Sequence, residues 1–271
     1  MPIVVGTELR IPTQDEFATI AYDVMHHLFA IHNEYGRFFR EEIYKQEFML
    51  RMEDVQLEVP IDVSFDRFSK RYRIDVLVDR GAVFELKTVE ALGPKHRAQL
   101  LHYLLLAELP HGKLVNMRPE VIEQEFVNTT LRLADRRQFA IIDDASERDP
   151  PHVRQLNDLF VAIVRDWGTG LDLELYTEAV TELLGGPSQV IADIDILSGV
   201  RPIGSQKVHL AGPETAFKIT SIDERGRDRF ADHSRRFVQH TRLAALLWIN
   251  VTLHEVAFRT IWGQNNRGQK D

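Results

Sequence analysis

The sequence predicts an α/β fold, helices covering a sheet, with that core built twice along the chain. Three observations predict it. Apolar residues alternate without fault from Val55 to Phe65, and again through Tyr72, Ile74, Val76 and Val78, the period of half-buried strands. Apolar runs at helical spacing, Phe17 to Ile31 and Leu100 to Leu105, bracket those strands in the chain. Four stretches of the second half fall on stretches of the first at nearly constant offset.

Taken in order, Thr13 with Glu16 fits a capping box, a hydroxyl at the cap and a carboxylate three residues on. Phe17, Ile20, Ala21, Val24, Leu28 and Ile31 then share a helical face, which Gly36 ends. A second helix is expected from about Phe38 to Met52, with Glu41, Tyr44 and Phe48 on one inward face. Glu41 on that face needs a partner, because an unpaired buried carboxylate is costly; the competing reading is an exposed charge paired with Lys45 at i+4. Val55 to Phe65 is a strand, bent or at an edge near Pro60.

Arg71 to Lys87 reads as a β-hairpin whose turn is Asp79-Arg80-Gly81, the glycine being able to take a left-handed backbone. With Arg80 at the centre, Asp75 and Glu85 oppose each other, roughly 5 Å apart at Cβ. Two opposed carboxylates repel. Lys87 projects from the same face. A divalent cation with oxygen ligands is the simplest reason to build such a cluster. Pro94 to Leu109 follows as a helix on which Gln99 and Tyr103, at i and i+4, project together. Spacing alone makes that pair a polar rim beside a leucine core. Leu114 to Met117 and Glu125 to Thr130 are expected strands.

The Asp75…Glu85-Leu86-Lys87 pattern resembles the PD-(D/E)XK nuclease superfamily. Gly36, Glu41, Tyr44 and the run RIDVLVDRGAVFELKTVEALGPKHRAQLLHYL resemble, within it, the small family of GxxExxY proteins, over about Phe17 to Thr130. The resemblance implies a restriction-endonuclease-like core, a mixed sheet flanked by helices. It also implies metal-dependent hydrolysis of phosphodiester bonds in nucleic acid, with DNA the expected substrate. Asp75, Glu85 and Lys87 match its catalytic set. Glu41 and the Leu86 carbonyl would join Asp75 and Glu85 around Mg²⁺, for which Mn²⁺ would substitute. Gln99, Tyr103 and Tyr44 would position substrate. In one departure, Phe38 stands where the motif has a glycine three residues before the glutamate.

Asp143 to Pro151 is charged and ends in Pro-Pro, which makes it a linker between domains at 1–142 and 152–263. In the second half Tyr176 falls on Tyr44 and Phe217 on Phe84. His233 and Phe237 fall on Gln99 and Tyr103, and Leu247 to Asn250 on Lys113 to Asn116. Read as a duplication, this copy has lost its chemistry. Lys218 replaces Glu85, Thr220 replaces Lys87, Val208 falls near the place of Asp75, and Leu173 takes that of Glu41. It would serve as a degenerate nuclease-like domain, packing on the first as an intrachain pseudo-dimer or carrying contacts.

Composition narrows the function classes. The chain has 271 residues, 44% hydrophobic and 27% charged, as a globular protein does. The absence of cysteine excludes disulfides, thiolate zinc sites and a cysteine nucleophile. His26, His27 and His32 lack the i, i+4 spacing of a helical metal pair. No leader pattern or membrane-length apolar run is read, so a cytoplasmic protein without membrane contact is expected. The net charge of −8 argues against a protein that coats DNA more than against a nuclease with a local basic groove. The alternative function is a nuclease-fold protein that binds nucleic acid or a protein partner without cutting.

Overall fold

In the computed structural model, which describes residues 2–144 and 149–263, a strand too short to leave a period in the sequence comes first, β1 (Ile3–Val5). Helix α1 (Gln14–Tyr35) starts at a formed capping box: the Glu16 amide donates to Thr13 Oγ1 at 3.2 Å and the Thr13 amide to Glu16 Oε2 at 2.7 Å. Gly36 ends it with φ +72°, a backbone glycine takes without strain. Helix α2 (Glu41–Arg51) starts three residues later than its apolar spacing suggested. Arg40 caps it in extended geometry, the Phe39 amide donates to the Tyr44 hydroxyl, and Phe38 lies exposed. Residues 37–40 are thus a turn tied down by Tyr44 and not helix.

Strands β2 (Val55–Phe65), β3 (Phe68–Val78) and β4 (Ala82–Lys87) follow, then α3 (Pro94–Ala107), β5 (His111–Asn116) and β6 (Glu123–Asn128). They form one sheet in the order β1-β2-β3-β4-β5-β6. It is mixed: β4 runs antiparallel to β3 and parallel to β5, which is antiparallel to β6. The parallel pair needs a crossover, and α3 supplies it. Val76, Val78, Phe84 and Leu86 pack with Phe17, Leu28, Tyr44 and Phe48 of α1 and α2 in one apolar core. Side chains alternate along a strand, so Asp75, Glu85 and Lys87 point from the opposite face.

The hairpin turn differs from expectation in one respect. Asp79 and Arg80, not Gly81, take left-handed backbone, φ +47° and +55°, as a type I′ turn requires of its two central residues. The Gly81 amide donates to the Val78 carbonyl at 3.1 Å. Gly81 is needed for room: a Cβ there would stand 2.2 Å from the Arg10 carbonyl oxygen and 2.8 Å from Pro12 Cδ. Gly81→Ala is therefore expected to cost about 2–3 kcal/mol as an overpacked site. Chemical denaturation would measure it, and a neutral result would mean the Arg10–Pro12 segment moves freely.

The rest comprises α4 (Leu133–Arg136), β7 (Ala140–Asp143), α5 (Pro151–Trp167), α6 (Leu173–Leu183), α7 (Pro187–Val190), β8 (Ile191–Ser198), β9 (Arg201–Gly212), β10 (Thr215–Thr220), α8 (Glu224–Gln239), β11 (Ala245–Val251) and β12 (Glu255–Trp262). The second sheet is ordered β7-β12-β11-β10-β9-β8 and is also mixed and flanked by helices. The chain divides into two compact units at Leu133/Ala134, with Phe65–Phe68 counted in the second. The expected boundary at 143–151 is displaced because Ala140–Asp143 pairs in parallel with β12. Residues 145–148 of that stretch lie outside the described residues. Helix α5 adds an element beyond those expected, with Val153, Leu156, Phe160, Ile163 and Val164 at helical period and buried.

Within the second unit β10 is antiparallel to β9 and parallel to β11, with α8 as the crossover, the polarity that β4 has toward β3 and β5. Two side-chain hydrogen-bond patterns recur. The Tyr44 hydroxyl donates to the Gly36 carbonyl at 2.7 Å, and that of Tyr176 to the Gly168 carbonyl at 2.5 Å. Asn116 brackets the backbone of Val89 through its amide, and Asn250 brackets Ile222 in the same way.

Candidate active site

The β3–β4 register pairs Val76 with Phe84 and Val78 with Ala82; continued one residue, it sets Asp75 opposite Glu85. Local alternation brings both carboxylates to one place. Asp75 is 9% exposed and Glu85 fully buried. Lys87 Nζ lies 2.5 Å from Glu85 Oε1 and 3.8 Å from Asp75 Oδ2. The second oxygen of each acid, Asp75 Oδ2 and Glu85 Oε2, is buried without a hydrogen-bond partner. Buried polar atoms are rarely left so, and the exceptions mark a missing partner or stored strain.

Helix α2 brings Glu41, its first residue, and Lys45, one turn on. Lys45 is 6% exposed, and its ammonium sits 2.5 Å from Glu58, 3.2 Å from Glu41 and 3.3 Å from Asp75. Glu41 pairs with Lys45 but is half-buried and not exposed, and the charge of Asp75 acts on it. The sequence shows Lys45 only as a helical neighbour of Glu41; its burial depends on α2 packing against the sheet. Glu58 left no local signal. Its backbone is left-handed inside β2, φ +52°, a conformation that alternation cannot foresee and that costs about 1 kcal/mol or more.

The electrostatics follow from crowding acids where water is scarce. Burial, reinforced by Asp75, pushes the Glu85 carboxyl up to about 8, against the pull of Lys87. Burial likewise raises Glu41, with Asp75 adding and Lys87 and Lys45 opposing. Burial works against both ammoniums, yet Glu85 with Asp75 holds Lys87 above the ordinary lysine range, and Glu58 with Asp75 and Glu41 does the same for Lys45.

Helix α3 supplies the rim. Gln99 Nε2 donates to the Tyr103 hydroxyl at 3.0 Å, which leaves the phenol proton for an outside acceptor. Burial raises Tyr103; the bond from Gln99 opposes this, and the charges of Glu85 and Asp75 add to it. Leu86 lies in the paired part of β4, beside Val115 of β5. Tyr44 is a correction. It is fully buried and spends its hydroxyl on Gly36 and Phe39, so it fastens the α1–α2 turn and cannot position substrate.

Among the described residues no three or more His, Cys, Asp or Glu side chains stand together as a group that could hold a metal ion. The expected trio of Glu41, Asp75 and Glu85 is not preassembled, because the Lys45 ammonium lies between Glu41 and Asp75. The donors still fit a hard divalent cation: they are carboxylates, and two of their oxygens accept no hydrogen bond. No described helix is long and apolar enough to cross a membrane.

Residues 18–129 match the profile of a family described as the PD-(D/E)XK nuclease superfamily. A solved structure titled "Crystal structure of SSO0001" is similar at 22% identity and a TM-score of 0.26, over 45% of this chain and 61% of that one. The chain thus spans under two thirds of that protein's length. No curated protein matches.

Proposed function

With residues 18–129 a domain of the PD-(D/E)XK nuclease superfamily, we propose that the protein is a metal-dependent nuclease that hydrolyses phosphodiester bonds of nucleic acid, DNA being the substrate. The observation that carries this is the pair of buried, opposed acids Asp75 and Glu85, each with an oxygen that accepts no hydrogen bond, beside Lys87. Lys87 and Lys45 offset part of the repulsion between the acids, and the two oxygens left without a hydrogen bond are where a cation would offset more of it.

Asp75 and Glu85 would hold Mg²⁺ or Mn²⁺, with Glu41 and the Leu86 carbonyl completing the set. When bound, that cation makes a water more acidic and neutralises charge on the scissile phosphate. Lys87 carries its proton at Nζ, held there by Glu85, and so would donate a hydrogen bond to a phosphate oxygen as negative charge builds on it. Tyr103, its oxygen already accepting from Gln99, offers its proton to a backbone phosphate and orients the strand. Lys45 pairs with Glu41 as well as Asp75, so Asp75 would have to release Lys45 in turning toward a cation.

The second unit supports a reading as a copy of the same core without the acids. Its strand polarity, crossover helix, Tyr176 bond and Asn250 bracket all repeat those of the first unit. A second functional reading, a binding module that does not cut, is favoured by Lys45, whose ammonium pairs with Glu41, Glu58 and Asp75 where a metal would otherwise offset their charge.

Labelled single- and double-stranded DNA and RNA, incubated with Mg²⁺ or Mn²⁺, separate the two. Cleavage that EDTA stops and Asp75→Asn lowers at least a hundredfold is the expected result. Binding of the panel with no cleavage under either metal would leave the binding module.

A further inference from the structure

The second unit contains a cavity of about 470 Å³, within the range of small-ligand sites. Its lining stands, position by position, where the first unit carries its acids. Phe217 pairs with His209 across β10 and β9, so Lys218 lies opposite Val208, as Glu85 lies opposite Asp75. Thr177 follows Tyr176 on α6 as Lys45 follows Tyr44 on α2. His233 and Phe237 stand at i and i+4 on the crossover helix α8, as Gln99 and Tyr103 do on α3. All five second-unit residues line the cavity.

The change is one of charge. No carboxylate lines the cavity, whereas Lys207, Lys218, His209 and His233 do. Among the described residues neither Lys207 nor Lys218 has an ion-pair partner, although other lysines and arginines of the chain are paired. Lys207 has Asp193 across from it on β8, so Lys218 is the cation left at the cavity without a facing carboxylate. Apolar surface is also present: the rings of Phe230 and Phe237 line the cavity, and the His209 ring packs on Phe217 at 5.5 Å. Cations with aromatic faces are the combination that takes a phosphate and its base together.

We propose that this cavity binds a nucleotide, its phosphate on Lys218 beside His233 and its base against Phe230 and Phe237. The nucleotide is either free or one unit of a single strand. Both carry the same chemistry. The proposal concerns binding alone and does not depend on cleavage by the first unit.

The test is calorimetric titration of the full chain in EDTA, which removes divalent metal from the measurement. Adenosine monophosphate is expected to bind saturably, with adenosine and inorganic phosphate each at least about tenfold weaker. Lys218→Ala is expected to weaken the monophosphate about tenfold, the loss of one charge-assisted bond. Lys218 is exposed, so the fold should survive, and the melting temperature checks this. Lys218→Glu, which restores the acid of the first unit, is expected to abolish binding. A 5′-phosphorylated trinucleotide that binds more tightly than the mononucleotide assigns the cavity to a strand, and equal affinity assigns it to the free nucleotide. No saturation with either ligand, or unchanged affinity in both folded Lys218 variants, overturns the proposal. A chain that binds nucleotide in EDTA yet never cleaves upholds this inference and sinks the nuclease reading; cleavage without nucleotide binding does the reverse.

Discussion

Lys87→Ala is expected to lower turnover on a cleaved substrate about a thousandfold while nucleic-acid affinity stays within a few-fold. A preorganised donor acting where charge develops is worth about 10²–10³ in rate, and Lys87 is held in place by burial and by two acids. Its effect should fall on kcat and leave KM nearly unchanged, the mark of a group used in the transition state. The substitution has a structural cost as well. Lys87 is the hydrogen-bond donor to the fully buried Glu85, and removing one partner of a buried pair costs about 3–5 kcal/mol. Protonation of Glu85, already favoured by burial, offsets part of that. Lys87→Gln keeps a donor and should recover stability without recovering rate. Full turnover in either variant would remove Lys87 from the mechanism.

The second large effect links metal to pH. Glu85 has its folded-state pKa raised above the ordinary carboxylate value by burial and by Asp75. The folded chain therefore keeps a proton that the unfolded chain releases above about pH 4.5. Stability rises with pH only where the unfolded state binds more protons, and here it binds fewer. Without metal, stability is expected to fall as pH climbs from the carboxylate range toward 8. A cation requires the ionised acids, so its stabilisation should grow over the same window. At a hundredfold excess over its Kd a folded-state ligand adds about 2.7 kcal/mol, a melting-temperature rise of about 5–10 °C for a unit of this size. Mg²⁺ should thus raise the melting temperature more at pH 8 than at pH 6. Asp75→Asn should lose most of that rise and be more stable than wild type in EDTA at pH 8, because one of two opposed charges is gone. Equal Mg²⁺ responses in wild type and variant would end the metal assignment.

What the sequence determined by itself about this protein is what depends on neighbours along the chain. A hairpin register follows from alternation and a short turn, so the opposition of Asp75 and Glu85, with Lys87 beside them, was legible from one run of residues. The capping box at Thr13 and the meeting of Gln99 with Tyr103 are equally local, closed within three or four residues. The order of helices and strands from α1 to β6 follows from periods of 3.6 and 2. The tertiary structure alone decided the rest. It brought Lys45 and Glu58 into the acid cluster, because a helix face and a left-handed strand residue meet only when α2 packs on the sheet. It tied the hydroxyl of Tyr44, which spacing had already placed on an inward face, to the Gly36 carbonyl and the Phe39 amide. Gly81 owes its identity to a segment some seventy residues earlier, and the left-handed backbone assigned to it belongs to Asp79 and Arg80. The end of the first unit moved to Leu133 because β7 found its partner in β12, over a hundred residues on. The cationic cavity is assembled from five elements, none of which shows it singly. Short-range geometry is written in consecutive residues; a site shared among distant elements exists only after packing has chosen which faces meet.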